Sequence, residues 1–367
     1  MKRLLLPFTV CALSMFCSGI GVGAPARSQP STSPYTAPEG VYQVSIADDV
    51  TVRDGKRNKE LKIKVYAPDA PGRFPLIVFS HGAGGSRESF GPLAHYWAAH
   101  GFICIHPSHA DALVGGSSAG MSPRGALGSL LARTLGSPTA WVNRARDISS
   151  VIDGLDQVEK GVPSLKGHLD RKRIGVGGHS FGAFTAMLIG GATVDLSAGE
   201  KDRTFLDPRV KAILVVSGQG TGQQGLSERS WRKVFIPMMT VTGSEDRGAA
   251  GQGPEWKKQP FDFSRPGDKY HLFLEGANHF SFGGELAGGG LAAGGLGPGV
   301  RARLSGGRRV GFGGGQLRGQ EGVFEAMKAG SLAFWNAYLK DDSHAKESLV
   351  SNRLAVATQG KATIAHR

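Results

Sequence analysis

The sequence contains only three cysteines in 367 residues. Cys11 and Cys17 lie within the first 24 residues, which have the features of a segment removed on export, so the remaining chain keeps only Cys104. One cysteine forms no intramolecular disulfide, and we expect a large hydrophobic core to stabilise the fold instead. Cys104 lies in the apolar run 102–105, where a buried and unreactive thiol is expected.

Residues 1–24 predict a secretory signal peptide. A basic pair precedes an apolar run over 4–20, and small residues at 22–24 suit cleavage. The mature protein is then secreted or periplasmic, and the Pro-, Ser- and Thr-rich segment 25–40 is expected to be a disordered linker. An uncleaved membrane anchor is the alternative, although the apolar run is short for a membrane span.

Acidic residues are scarcer than basic ones, with 30 Asp and Glu against 43 Lys and Arg and a formal net charge of +13. A basic surface favours peripheral association with anionic envelope surfaces. No nucleic-acid motif or basic-aromatic patch accompanies the charge, so the sequence predicts no nucleic-acid partner. We expect the protein to be a monomer.

Apolar strands alternate with helical segments along most of the chain. The run 76–79 is continuously apolar, as in a central strand buried on both faces, and similar runs recur at 174–177 and 236–241. Apolar residues at helical spacing between such runs predict helices on both faces of a mostly parallel sheet, which is an α/β fold. The sequence therefore predicts one domain over 41–345, followed by a C-terminal tail at 346–367.

One segment, 283–319, lacks apolar periodicity, and 16 of its 37 residues are glycine. Glycine-rich backbone loses much entropy on ordering, so we predict a mobile, basic insertion in the domain. The insertion begins four residues after a candidate catalytic histidine. A flap over the site is therefore the alternative to a merely tolerated insertion.

The most informative motif is Gly178-His179-Ser180-Phe181-Gly182. A serine with a glycine two residues away on each side, between a strand and a helix, is typical of a nucleophile elbow. The sharp turn holds the serine in a strained conformation with its Oγ exposed, and the glycines leave room for neighbouring backbone. Ser180 is thus the candidate nucleophile.

A serine nucleophile needs a histidine base and an acid that orients it, and in this type of fold the acid precedes the histidine. Asp246 follows the predicted strand 236–241, with Glu245 as its near rival, and His279 follows the next predicted strand. The carboxyl ends of parallel strands share one edge of a sheet. The acid and the base are therefore predicted to meet Ser180 there.

A glycine-rich turn at 81–85 follows the first central strand. Backbone amides in such a turn are able to donate hydrogen bonds to a substrate oxygen. We predict an oxyanion hole formed by the amide of Ala83 in this turn and by that of Phe181, the residue after the nucleophile.

Other histidines are given structural roles. His106 and His109, with Asp111, are interpreted as residues of loops that line the substrate cleft, because Pro107 enforces extended chain and no further ligand has the spacing of a metal site. The side chain of His179 is expected to point away from the nucleophile into packing, so His179 is not the predicted base. The sequence predicts neither a metal nor an organic cofactor.

Taken together, these motifs resemble those of secreted bacterial α/β-hydrolases of the dienelactone-hydrolase-like group, which is close to platelet-activating-factor acetylhydrolases and more distantly similar to chlorophyllases and cutinase-type polyester hydrolases. The segments that carry the resemblance are 74–86, 100–107, 170–183 and 274–279. It implies an α/β-hydrolase fold with Ser180, Asp246 and His279 as nucleophile, acid and base. True dienelactone hydrolases use a cysteine nucleophile, which argues against their substrate, and the long glycine-rich run after His279 is also unlike this group.

The sequence therefore predicts a secreted serine hydrolase that cleaves carboxylic esters, acting on a small-molecule or lipid ester. A lipid-directed acetylhydrolase or lipase is one alternative, and aryl or polyester substrates differ from it only in the shape of the cleft. A catalytically silent hydrolase-like module that binds an envelope polymer is the alternative outside enzymes.

Overall fold

The computed structural model describes residues 36–112, 133–284 and 314–367, with side chains from 322 onward in the last range. The predicted signal peptide, most of the predicted linker and most of the predicted insertion lie outside these residues. Within them, every helix is too short or too polar to cross a membrane.

The strands follow the apolar runs of the sequence. In chain order they are β1 (Val44–Asp54), β2 (Lys59–Pro68), β3 (Phe74–Ser80), β4 (Ile103–Pro107), β5 (Leu169–His179), β6 (Thr193–Val194), β7 (Arg203–Thr204), β8 (Val210–Val216), β9 (Met238–Glu245), β10 (Lys269–Asn278) and β11 (Ala362–His366). The strand β3 is buried at all seven positions, which agrees with its continuous apolar sequence.

Helices connect most of these strands. They are α1 (Gly91–Ala99), α2 (Pro138–Asp153), α3 (Leu155–Gly161), α4 (Phe181–Ile189), α5 (Pro254–Asp262), α6 (Gly314–Leu339), α7 (Ser343–Val350) and α8 (Arg353–Ala357), with 3₁₀ turns at Pro163–Leu165 and Ser230–Lys233. The helix α2 begins as its sequence predicts, because the Ser137 side chain accepts a hydrogen bond from the Ala140 amide and Pro138 occupies the first turn.

Nine strands form one sheet in the order β1-β2-β4-β3-β5-β8-β9-β10-β11. The six central strands of this sheet, β4, β3, β5, β8, β9 and β10, run parallel. The outer strands β1, β2 and β11 pair antiparallel with their neighbours. The short strands β6 and β7 pair separately. This mostly parallel sheet confirms the predicted fold class.

Both faces of the sheet are covered by an apolar layer. On one face Trp141 of α2 and Phe184 of α4 belong to a buried cluster with the sheet residue Val176. On the other face Trp97 of α1 and Trp335 of α6 pack edge to face with ring centroids 6.0 Å apart. A sheet covered in this way leaves its carboxyl edge as the natural place for a ligand.

The structure extends the domain at both ends beyond the predicted division. The segment 346–367, predicted as a tail, contains β11, which pairs with β10 as an edge strand, and its Leu349 is fully buried. Ala37, placed in the predicted linker, is buried, and its amide donates to Glu325 Oε2 at 2.7 Å. Neither segment has a long apolar run, so burial here depends on neighbours that are distant in sequence.

Candidate active site

The sharp turn between β5 and α4 consists of Ser180 alone. Its backbone has φ 55° and ψ −116°, a conformation that non-glycine residues rarely adopt and that costs about 1–3 kcal/mol. The Ser180 amide donates to the carbonyl of Val216 in the neighbouring strand β8 at 2.9 Å. This geometry raises the half-buried serine above the carboxyl edge of the sheet, as the elbow motif predicts.

The two glycines of the motif are required by close backbone contacts. A Cβ at Gly178 would overlap the carbonyl of Gly182, and a Cβ at Gly182 would overlap the carbonyls of Ser80 and His81. Backbone atoms within a sheet have little freedom to move aside. The elbow therefore tolerates no side chain at either position.

We expect Gly182→Ala to destabilise the native state by about 3 kcal/mol or more, because the new methyl group meets backbone on the facing strand. Helix propensity alone predicts the opposite sign, since alanine is favoured over glycine in a helix by about 1 kcal/mol. Urea unfolding of the variant measures the loss. The control is Gly55→Ala, because no atom lies within 4 Å of a Cβ at that exposed glycine, and equal stability of the two variants would refute the steric explanation.

The structure brings the predicted nucleophile, base and acid together. His279 Nε2 lies 3.1 Å from Ser180 Oγ, and His279 Nδ1 lies 3.2 Å from Asp246 Oδ1. Asp246 follows β9 and is completely buried, whereas the His279 side chain follows β10 and is 25% exposed. These distances permit proton transfer from serine to histidine with the carboxylate fixing the imidazole ring.

Ser217, at the end of β8, is a fourth member of this group that the sequence analysis missed. Its Oγ donates to Asp246 Oδ1 at 2.9 Å and lies 2.8 Å from His279 Nδ1. With its proton directed to the carboxylate, the hydroxyl is free to accept the Nδ1 proton alongside Asp246. The signal available in the sequence is a small polar residue directly after an apolar strand.

A buried lysine of α5 lies beside the acid and was also missed. Lys257 Nζ donates to Ser217 Oγ at 2.8 Å and lies 3.5 Å from Asp246 Oδ1, while Thr242 Oγ1 donates to Asp246 Oδ2 at 2.9 Å. Burial opposes ionisation of Asp246, but the hydrogen bond from His279 and the charge of Lys257 outweigh it and lower the pKa of the carboxyl group. The acid is therefore held ionised, as an orienting carboxylate requires.

His179 has a role that its place in the motif did not indicate. Its side chain packs against the Phe90 ring and donates from Nε2 to the carbonyl oxygen of His279 at 2.8 Å. Burial is the main cause that lowers the pKa of His179 to about 3, so the ring is neutral at pH 7. His179 thus fixes the backbone of the candidate base and does not itself contact Ser180 Oγ.

The predicted oxyanion turn lies beside the nucleophile. A Cβ at Gly82 would stand 3.6 Å from Ser180 Cβ, so the turn passes directly over the elbow. Among the described residues, neither the Ala83 amide nor the Phe181 amide donates to a protein acceptor. Phe181 is the first residue of α4, where the helix dipole favours negative charge.

The placement of His106 and His109 differs from the predicted cleft lining. Both side chains are buried in the protein interior. The His106 ring stacks on the Phe79 ring, and the His109 ring forms a hydrogen bond with Asp147. No group of metal-binding side chains occurs within the described ranges.

An apolar ring flanks the site. Phe280, next to the candidate base, is 52% exposed, and its ring centroid lies 5.1 Å from that of His279.

A serine on an elbow after the fifth strand, an acid and a histidine after later strands, and a mostly parallel sheet define an α/β-hydrolase. Residues 48–119 match the family described as platelet-activating factor acetylhydrolase, isoform II. The chain is also 27% identical over 138 residues to a platelet-activating factor acetylhydrolase of Cavia porcellus, with 31% of each chain covered. It resembles the platelet-activating-factor-acetylhydrolase-like group of α/β-hydrolases, as its motifs predict.

The matches cover only part of each protein. The chain spans about a third of the length of the Cavia porcellus relative. The family match includes the predicted oxyanion turn with Ala83 but ends before Ser180, Asp246 and His279. The roles of these three residues therefore depend on the geometry of the site.

Proposed function

We propose that the protein is a serine hydrolase that cleaves carboxylic esters through an acyl-enzyme intermediate. The observation that carries this proposal is the continuous set of contacts from Ser180 Oγ through the His279 ring to Asp246, at 3.1 and 3.2 Å. A catalytically silent module has no requirement for a strained serine, a partly exposed histidine and a buried carboxylate in this order.

In the proposed reaction His279 Nε2 takes the proton of Ser180 Oγ, and the oxygen attacks the ester carbonyl carbon. The amides of Ala83 and Phe181 donate to the oxyanion of the tetrahedral intermediate. The imidazolium then protonates the leaving alkoxide, and the acyl group remains on the serine. A water molecule, activated by His279, releases the acid by the reverse sequence.

The residues behind the histidine hold it for this task. Asp246 stays ionised and stabilises the imidazolium, while the Ser217 hydroxyl shares the Nδ1 proton. Lys257 balances the buried carboxylate, so the acid, lysine and hydroxyl form a compensated group without an isolated buried charge.

For substrate class we propose an ester with a short acyl group on an apolar, lipid-like alcohol. The similarity to a platelet-activating factor acetylhydrolase supports an acetyl ester of a lipid. The exposed ring of Phe280 beside His279 offers an apolar surface for such a group. Secretion or periplasmic export remains part of the proposal and depends on the signal-like segment 1–24.

The experiment that tests this function is a series of p-nitrophenyl esters from acetate to palmitate, combined with fluorophosphonate labelling and peptide mass mapping. We expect kcat/KM to be highest for acetate and butyrate, and one label per chain located on Ser180. Hydrolysis without labelling of Ser180 would refute the serine mechanism. Highest activity on palmitate would refute the short-acyl preference. If the protein is not labelled and hydrolyses no ester of the series, the proposal that it is an enzyme is refuted.

A further inference from the structure

Behind the oxyanion turn lies a buried arginine of α2 that the proposed reaction does not use. The Arg144 side chain is only 2% exposed. Its guanidinium donates from Nη1 to the His81 carbonyl at 2.6 Å and from Nη2 to the Gly82 carbonyl at 3.2 Å. It also donates from Nε and Nη2 to the two carboxylate oxygens of Asp111, at 3.0 and 2.8 Å. A planar fork with five donors suits several fixed acceptors at once.

The contact with the Gly82 carbonyl determines where the next amide points. The carbonyl and the N–H of a trans peptide point in opposite directions, so a carbonyl of Gly82 held by Arg144 turns the Ala83 N–H away from the guanidinium. A second donor secures the same carbonyl, since His81 Nδ1 lies 2.6 Å from it. His81 Nε2 accepts the His109 amide at 3.0 Å, which places the ring proton on Nδ1.

The same guanidinium contacts the other predicted donor residue. The Arg144 guanidinium carbon lies 4.4 Å from the centroid of the Phe181 ring, and Phe181 is fully buried. A guanidinium over an aromatic face is attractive and resists displacement of the ring. Arg144 thus contacts the peptide group between Gly82 and Ala83, whose N–H is one predicted donor. It also contacts Phe181, whose backbone N–H is the other.

The buried surroundings of Arg144 keep it in place. Asp111 balances its charge, and Arg144 holds the pKa of this largely buried carboxyl group at about 2 against the effect of burial. One turn further along α2, Asp147 Oδ2 lies 2.9 Å from His109 Nδ1, and His109 Nε2 lies 2.8 Å from Ser80 Oγ. Ser80 ends β3 directly before the turn, so α2 holds the turn at its start as well as along its backbone.

Given the proposed ester hydrolysis, we propose that Arg144 is a positioning residue: it aims the Ala83 amide and fixes Phe181, so that the two donors form a rigid oxyanion hole. Arg144 does not touch the reacting atoms in this arrangement. Its effect on the reaction passes through the turn 81–85, and it should appear in the transition state more than in substrate binding.

The test compares Arg144→Lys with wild type and with a matched control, Arg209→Lys. Lysine keeps the charge but is unable to hold two carbonyls and a carboxylate together. Arg209 also holds a carboxylate with two nitrogens, Nε and Nη2 on Asp207 at 2.9 and 2.7 Å, and its hydrogen-bond partners in the described part of the chain are not among the residues that hold the turn. We expect Arg144→Lys to lower kcat on p-nitrophenyl acetate by about 10- to 100-fold with KM within about threefold, and Arg209→Lys to retain the kcat of wild type.

An independent readout, hydrogen exchange at residues 81–86, requires no ester turnover. The Gly85 amide donates to the Gly82 carbonyl at 3.1 Å, and the Gly84 amide lies 3.4 Å from Asp111 Oδ2. Both amides should exchange faster in Arg144→Lys than in Arg209→Lys. Unchanged exchange in Arg144→Lys would overturn the proposal, as would a wild-type kcat in that variant or an equal loss of kcat in the control.

The two proposals fail in different ways. If wild type hydrolyses no ester, the proposed function fails, and the exchange measurement still decides whether Arg144 holds the turn. If Arg144→Lys does not fold, Asp111→Asn keeps the guanidinium but removes the charge that balances it and one of the two carboxylate oxygens that orient it. This variant should then lose about 3- to 10-fold in kcat with KM unchanged, and an unchanged kcat would overturn the proposal.

Discussion

Ser180→Ala is expected to lower kcat on p-nitrophenyl acetate by about 10⁵-fold or more, because the variant lacks the oxygen that forms the acyl-enzyme. The remaining oxyanion donors, together with substrate binding, still supply a rate enhancement of about 10³- to 10⁴-fold over water. Steady-state assays with long incubations measure the residual rate, and fluorophosphonate labelling should disappear in the same preparation.

The variant should retain the fold of the wild type. Alanine removes one hydroxyl from a half-buried position, and the backbone bond from residue 180 to the Val216 carbonyl is unaffected. Ser197→Ala, at an exposed serine, serves as the purification control and should keep full activity. A Ser180→Ala protein that keeps more than about a hundredth of the wild-type kcat would contradict the assignment of the nucleophile.

Asp246→Asn is expected to lower kcat by about 10³- to 10⁴-fold. The amide has the size of the carboxylate but carries no charge to stabilise the imidazolium. One of its two positions is now a donor, whereas Ser217, Thr242 and Lys257 all direct donors at the present oxygens. The histidine then loses both its charge partner and its preferred tautomer.

The matched control is Glu245→Gln, the adjacent acid that the sequence left as a rival. Glu245 is exposed at the end of β9, while Asp246 is buried against the histidine. Both substitutions remove one negative charge at neighbouring positions, so any difference reflects the contacts of the side chain. If Glu245→Gln lost as much kcat as Asp246→Asn, the assignment of the acid would be wrong.

The elbow and the order of the three candidate site residues were predictable because they follow local rules. Alternating apolar runs identify strands, and the chain order of serine, acid and histidine follows from the ends of successive parallel strands. The structure places Ser180, Asp246 and His279 at those strand ends, with His279 within hydrogen-bonding distance of both other residues. The variants Ser180→Ala and Asp246→Asn test the catalytic roles proposed for this group.

The residues behind the site were not predictable in the same way. Lys257 and Ser217 are 40 residues apart, and Arg144 lies 62 residues from Gly82, yet each pair is in contact. No local pattern marks such residues, because a buried polar side chain is compensated by partners that only chain crossing brings near. The burial of His106 and His109, and the pairing of β11 with β10, depend on the same long-range contacts.

Periodicity, glycine spacing and strand order in the chain were thus enough to establish the fold class and to select a serine on a sharp turn, because backbone sterics and strand polarity act over short stretches. The side chains that support the residues around this serine come from several different helices and strands. The direction of the Ala83 amide, the ionised state of Asp246 and the second acceptor of the His279 proton depend on those side chains, since hydrogen bonds and buried charges are satisfied in three dimensions.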